Sequence, residues 1–70
     1  MQHVPDPYRL LGVPRGASDT QIKAAHRALA KRYHPDAPTG DTVRFLQVQQ
    51  AYDVLSDPLR RREWDARHAP

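Results

Sequence analysis

Seventy residues with no cysteine, and with 11 Lys plus Arg against 8 Asp plus Glu for a formal net charge of +3, make one small domain at most. A chain of this size buries only about 60% of the surface its unfolded form exposes, which leaves no room for a deep enclosed active site, and without thiols its stability rests on helix packing rather than disulfides or a thiolate metal centre. No apolar run approaches the roughly 20 residues that span a bilayer, so the chain reads as soluble and cytoplasmic with no membrane segment, and its basic excess favours an acidic partner.

Met1 to Pro5 has no periodic pattern and is expected to be a flexible end. Asp6-Pro7-Tyr8 supplies an N-cap followed by proline at the first helical position, where its missing N–H costs nothing. A short helix should run through Leu10 and Leu11 and stop at Gly12, followed by a linker, Val13-Pro14-Arg15-Gly16-Ala17, whose glycine and proline break regular structure. Ser18 and Gln21 are spaced as a capping box for a second helix. From there to Tyr33 there is no glycine or proline, and Ile22, Ala25, Leu29 and Tyr33 fall within an arc of about 80°. Lys23, Arg27 and Lys31 recur at every fourth position on the far side, with Arg32 beside them and His26 at the border of the two faces.

Tyr33-His34-Pro35-Asp36 must then turn, because proline removes a donor and disfavours helix at the residue before it. After Gly40, Asp41 or Thr42 can cap a third helix running to about Ser56, with Phe45, Val48, Ala51, Tyr52 and Leu55 along one side. Two long helices with matching apolar stripes and a short connection predict an antiparallel hairpin. Ser56-Asp57-Pro58 repeats the cap-then-proline signal and predicts a fourth helix from Leu59 to about Arg67, mostly charged, with Trp64 as its anchor. Residues 68–70 are expected to form a second flexible end.

Taken together, these residues resemble the J domain of the DnaJ co-chaperone family. The resemblance is carried by Asp6-Pro7-Tyr8-Arg9-Leu10-Leu11-Gly12-Val13, by the run from Ile22 to Tyr33 leading into His34-Pro35-Asp36, and by Phe45 with Gln50-Ala51-Tyr52-Asp53-Val54-Leu55-Ser56-Asp57-Pro58, over about residues 6 to 65. It implies an all-α fold of four helices, occupying residues 6–67, with the His34-Pro35-Asp36 turn at the tip of the hairpin of helices 2 and 3. It implies a function as well: docking on a DnaK-class heat-shock chaperone and stimulating its ATP hydrolysis, with no cofactor and no catalysis by the domain itself. The sequence departs from the common pattern at His26, where tyrosine is frequent, at Ala28, where a basic residue is frequent, and at Ala37-Pro38 in a shortened turn. These departures bear on partner choice and affinity.

On this reading His34, Pro35 and Asp36 form the partner contact, since a rigid turn bearing an imidazole and a carboxylate suits arginine and backbone groups on a partner. Lys23, His26, Arg27, Lys31 and Arg32 complete the binding surface. The plain alternative is turn chemistry at the tip and a solvated helix face beside it. A catalytic dyad of His34 and Asp36 would need a nucleophile and an enclosed cavity, whereas Ser18 and Ser56 read as caps. The four histidines, His3, His26, His34 and His68, lack metal-ligand spacing, so no metal is expected. The competing function is a small basic nucleic-acid binder using Lys23, Arg27, Lys31, Arg32 and Arg60 to Arg62, which leaves the tip unused; no nucleic acid is expected, and the isolated domain is expected to be a monomer.

Overall fold

The computed structural model describes residues 5–68. Four helices follow in order: α1 (Pro7–Leu11), α2 (Asp19–Tyr33), α3 (Thr42–Leu55) and α4 (Pro58–Arg67), with no strand among the described residues. The expected flexible ends fall largely on residues 1–4 and 69–70, outside the described residues. His68, assigned to the loose C-terminal end, stacks on Trp64 with ring centroids 4.1 Å apart.

Each helix starts where a side chain satisfies the backbone N–H groups left free in a first turn. The Tyr8 N–H donates to Asp6 at 2.9 Å, and Pro7 takes the first helical position. Ser18 and Gln21 cap reciprocally, Gln21 N–H donating to Ser18 Oγ at 3.1 Å and Ser18 N–H to Gln21 Oε1 at 2.9 Å. Of the two candidate caps for α3, Asp41 takes the role, accepting from the Arg44 N–H at 3.1 Å. Asp57 does the same for α4, which begins at Pro58 rather than Leu59 because proline needs no donor there. At the end of α1, Gly12 adopts φ +68, a left-handed conformation that glycine enters without a Cβ clash.

Tyr8, Leu11, Ala17, Ile22, Val48, Ala51 and Leu55 form the buried core. Helix α3 is the only one whose backbone approaches all three others; α1 and α2 also meet each other. The α3 stripe divides on packing: Val48, Ala51 and Leu55 are buried, whereas Phe45 and Tyr52, expected beside them, are only half-buried. Trp64 meets Tyr8 edge to face at 5.7 Å, as expected of the α4 anchor.

A second anchor on α4 was hidden in its charged run. Arg61 Nε donates to the Tyr8 hydroxyl at 3.0 Å, and Arg61 Nη2 donates to the carbonyls of Arg15 at 3.0 Å and Ala17 at 2.8 Å. The Tyr8 hydroxyl in turn donates to Asp65 at 2.6 Å. Burial, followed by that bond to Asp65, holds the Tyr8 phenol above its ordinary value of 10.0. Since the backbones of α1 and α4 do not approach, long side chains alone tie α4 to the first helix and to the loop that launches α2.

Candidate functional site

The tip of the α2–α3 hairpin is a closed turn built from backbone bonds. His34 adopts φ −55 and ψ 137, the extended conformation that a following proline imposes, and α2 ends there. Ala37 N–H then donates to the His34 carbonyl at 2.8 Å, Gly40 N–H to the Ala37 carbonyl at 2.8 Å, and Asp41 N–H to the Tyr33 carbonyl at 3.0 Å. Thr39 Oγ1 donates to the Arg32 carbonyl at 2.6 Å, so two carbonyls left open by the end of α2 find partners within the turn. Gly40 is required for its size: a Cβ there would lie 2.5 Å from the His34 carbonyl oxygen and 2.9 Å from that of Ala37.

Within this frame the imidazole of His34 is held on two sides. The Asp36 N–H donates to His34 Nδ1 at 3.1 Å, and Phe45 on α3 meets the ring edge to face at 5.6 Å. Accepting that bond requires an unprotonated Nδ1, which places the proton of the neutral ring on Nε2. The Asp36 carboxylate also lies 3.8 Å from Nδ1, a pairing that would require a protonated ring. The Asp36 side chain is 93% exposed and that of His34 52%, leaving the carboxylate and part of the imidazole open to solvent. Pro35 is exposed between them.

The basic face of α2 leads into this tip. Lys23, Arg27 and Lys31 are exposed, and among the described residues no carboxylate pairs with any of the three. Helix α2 holds four of the chain's 11 Lys and Arg and one of its 8 Asp and Glu, so the whole net charge of +3 resides on this helix and the rest of the chain is balanced. Arg32 is exposed, with its guanidinium 5.5 Å from the Tyr33 ring centroid, and Arg44 approaches the same ring at 5.7 Å.

His26 sits apart from the other candidate residues. Its ring stacks on Tyr52 at 3.9 Å and 12° and makes a short hydrogen bond to Gln49, so it joins the α2–α3 seam rather than the basic face. Arg61, Tyr8 and Asp65 are the residues that sequence reasoning missed. Arg61 and Asp65 are four apart and share one face of α4, but their partner Tyr8 is more than 50 residues away, a contact that local spacing does not encode. No helix is long and apolar enough to cross a membrane among the described residues, and no three His, Asp or Glu side chains there converge as a metal site would need.

Comparison with known proteins agrees with this architecture. The family model described as the DnaJ domain matches residues 6–65. A "Chaperone protein DnaJ" of Acetivibrio thermocellus is 52% identical over 63 residues, covering 86% of this chain and 16% of that protein. Its namesake in Deinococcus proteolyticus is 51% identical over 63 residues, covering 86% of this chain and 20% of the relative. The "Chaperone protein DnaJ 2" of Synechocystis sp. is 46% identical over 70 residues, covering 96% of this chain and 23% of the relative. The chain thus spans between about a sixth and a quarter of the length of these relatives. With its four helices, and with His34-Pro35-Asp36 at the turn between the second and third, the chain belongs to the DnaJ domain family.

Proposed function

We propose that residues 6–67 act as a co-chaperone module that docks on a DnaK-class heat-shock chaperone and stimulates its ATP hydrolysis. The observation carrying this reading is the intact His34-Pro35-Asp36 turn, closed tightly at Gly40 and packed against Phe45 with its carboxylate exposed, at the end of a helix bearing the chain's entire net charge. The tip supplies the productive contact, in which Asp36 accepts charge-assisted hydrogen bonds. Lys23, Arg27, Lys31 and Arg32 orient the approach, since charges at the rim of an interface act mainly on encounter and weaken with salt. The reading gives the domain no active site and no cofactor of its own, and makes it a monomer located where its chaperone works, in the cytoplasm.

The nucleic-acid alternative loses its strongest C-terminal element, because Arg61 spends its guanidinium on Tyr8 and two carbonyls. The deciding experiment is a single-turnover ATPase assay on a purified bacterial DnaK, with the 70-residue chain and with Asp36→Asn. Stimulation should be lost in the variant while helical content is unchanged. Equal stimulation by both proteins would sink the proposal.

A further inference from the structure

Arg32 does not share the face of Lys23, Arg27 and Lys31. It stands nine residues past Lys23, about two and a half turns of helix, and so leaves α2 on the opposite side. It is also three residues past Leu29, which lines a shallow notch with Leu10 of α1, Tyr33 and Arg44. The guanidiniums of Arg32 and Arg44 both lie over the Tyr33 ring, 5.5 and 5.7 Å from its centroid, within the roughly 6 Å over which a cation is drawn to an aromatic face. Arg44 is held further. Its Nε lies 3.5 Å from the Asp41 carboxylate, yet its side chain is 63% exposed, and among the described residues Nη1 and Nη2 meet no acceptor. Arg32 is exposed and has no carboxylate partner there. A guanidinium already steadied by a ring and an ion pair loses less freedom on binding and keeps its fork of donors for a carboxylate.

We propose that Arg32 and Arg44, steadied by Tyr33, bind acidic side chains of the same DnaK-class chaperone through forked hydrogen bonds, on the side of the hairpin away from Lys23, Arg27 and Lys31; this rests on the function proposed above. The pair is built into the tip. Tyr33 immediately precedes His34, Thr39 Oγ1 donates to the Arg32 carbonyl, and Asp41, which orients Arg44, donates its N–H to the Tyr33 carbonyl. A partner seated on His34 and Asp36 therefore passes within side-chain reach of both guanidiniums. Planar forks with open donors select carboxylates there by geometry as well as charge, whereas the basic face of α2 acts on encounter. Nucleic-acid phosphate is the competing ligand of the same forks, and the test includes it.

The experiment titrates the 70-residue chain, Arg32→Gln, Arg44→Gln, Arg32→Lys, Arg44→Lys and Arg62→Gln into a purified bacterial DnaK with ATP. Glutamine keeps helix propensity, and both the α3 cap and the Thr39 bond use backbone groups of Arg44 and Arg32, so the fold is retained. Each of the two tip glutamine variants should need about fivefold more protein for half-maximal stimulation, the scale of an exposed ion pair, with the plateau rate unchanged. Arg62→Gln removes the same charge from α4 and should leave the titration as it is. The lysine variants should recover little, since an ammonium lacks the fork. An unchanged half-maximal concentration in both tip glutamine variants, a loss confined to the plateau, or full recovery with lysine overturns the pair. So does binding of a single-stranded oligonucleotide by the wild-type chain that the tip glutamine variants abolish, which would assign the forks to phosphate. If Asp36→Asn stimulates like the wild type, the proposed function itself falls; if Asp36→Asn is inactive and the tip glutamine variants are normal, only the pair falls.

Discussion

Arg61→Ala should destabilise this domain more than any other single replacement of a basic side chain. The guanidinium donates three hydrogen bonds, to the Tyr8 hydroxyl and to the carbonyls of Arg15 and Ala17, and its side chain is only 19% exposed. Hydrogen bonds from a charged donor contribute about 1.5–3 kcal/mol each, but the three share one side chain and the freed carbonyl of exposed Arg15 regains water, so they do not add. A loss of roughly 2–4 kcal/mol follows. The ion pair to Asp19 adds nothing to that figure, because at 3.7 Å its carboxylate is 94% exposed and screened. Domains are stable by about 0.05–0.15 kcal/mol per residue, so the total here is on the order of 4–10 kcal/mol and the substitution removes a large share of it.

Urea unfolding followed by the helical signal is the assay. With a slope near ~1 kcal/mol per molar urea for so short a chain, the midpoint should fall by about 2 M or more. Arg60→Ala and Arg62→Ala are the controls: both side chains are exposed, Arg60 reaches only Asp57 at 4.0 Å, and neither should move stability by more than about 0.5 kcal/mol. Arg61→Lys should recover little, since an ammonium cannot span the hydroxyl and both carbonyls as a planar fork does. If the Arg61→Ala midpoint falls no further than that of Arg60→Ala, the clamp is decorative and the reasoning fails.

Gly40→Ala should damage the tip more than the fold, because the added Cβ lands 2.5 Å from the His34 carbonyl oxygen; ATPase stimulation should fall several-fold, and a wild-type rate would show that the turn adapts without cost. Tyr8→Phe should cost about 1–3 kcal/mol by removing the hydroxyl that links Arg61 and Asp65, read from the same urea curves. It should also remove an alkaline dependence: the folded state holds the Tyr8 proton more tightly than the unfolded chain, so this stability is intact below the ordinary value of 10.0 and is lost as pH rises through the higher folded value. Unfolding curves of wild type and Tyr8→Phe that decline in parallel above pH 10 would contradict that sign.

The helices and their starts were legible because capping is local. Asp6, Ser18, Asp41 and Asp57 each satisfy N–H groups two or three residues on, so the sequence window that shows the cap shows its partners as well. His34-Pro35-Asp36 was legible on the same ground, proline fixing the end of α2 whatever lies around it. What the sequence hid were the contacts between distant segments. Arg61 reads like Arg60 and Arg62 in a basic run, and only its reach across to Tyr8 and the loop carbonyls sets it apart. His26, at a face boundary, had no local reason to turn toward Tyr52 and Gln49 rather than toward Arg27. Phe45 was assigned to the core by spacing, and the same spacing allows its place at the flank, where it holds His34.

The charge pairs leave the basic face of α2 without carboxylate partners among the described residues. Arg15 pairs with Asp65, Arg44 with Asp41, Arg60 with Asp57 and Arg61 with Asp19, so each of these cations has a carboxylate within 4.0 Å, near a loop or a helix start. Lys23, Arg27 and Lys31 have none among the described residues: Asp19, four residues before Lys23 on α2, reaches Arg61 instead. Three like charges at successive i, i+4 positions repel, and they lower the stability of the helix that bears them. A cost of this kind is offset if an acidic surface arrives to relieve it, and the relief is then part of the binding free energy. Arg27→Glu tests this directly: replacing the central charge should raise the melting temperature of the isolated domain slightly while weakening stimulation of a bacterial DnaK at low salt. A variant that is both less stable and less active would instead give Arg27 a structural role.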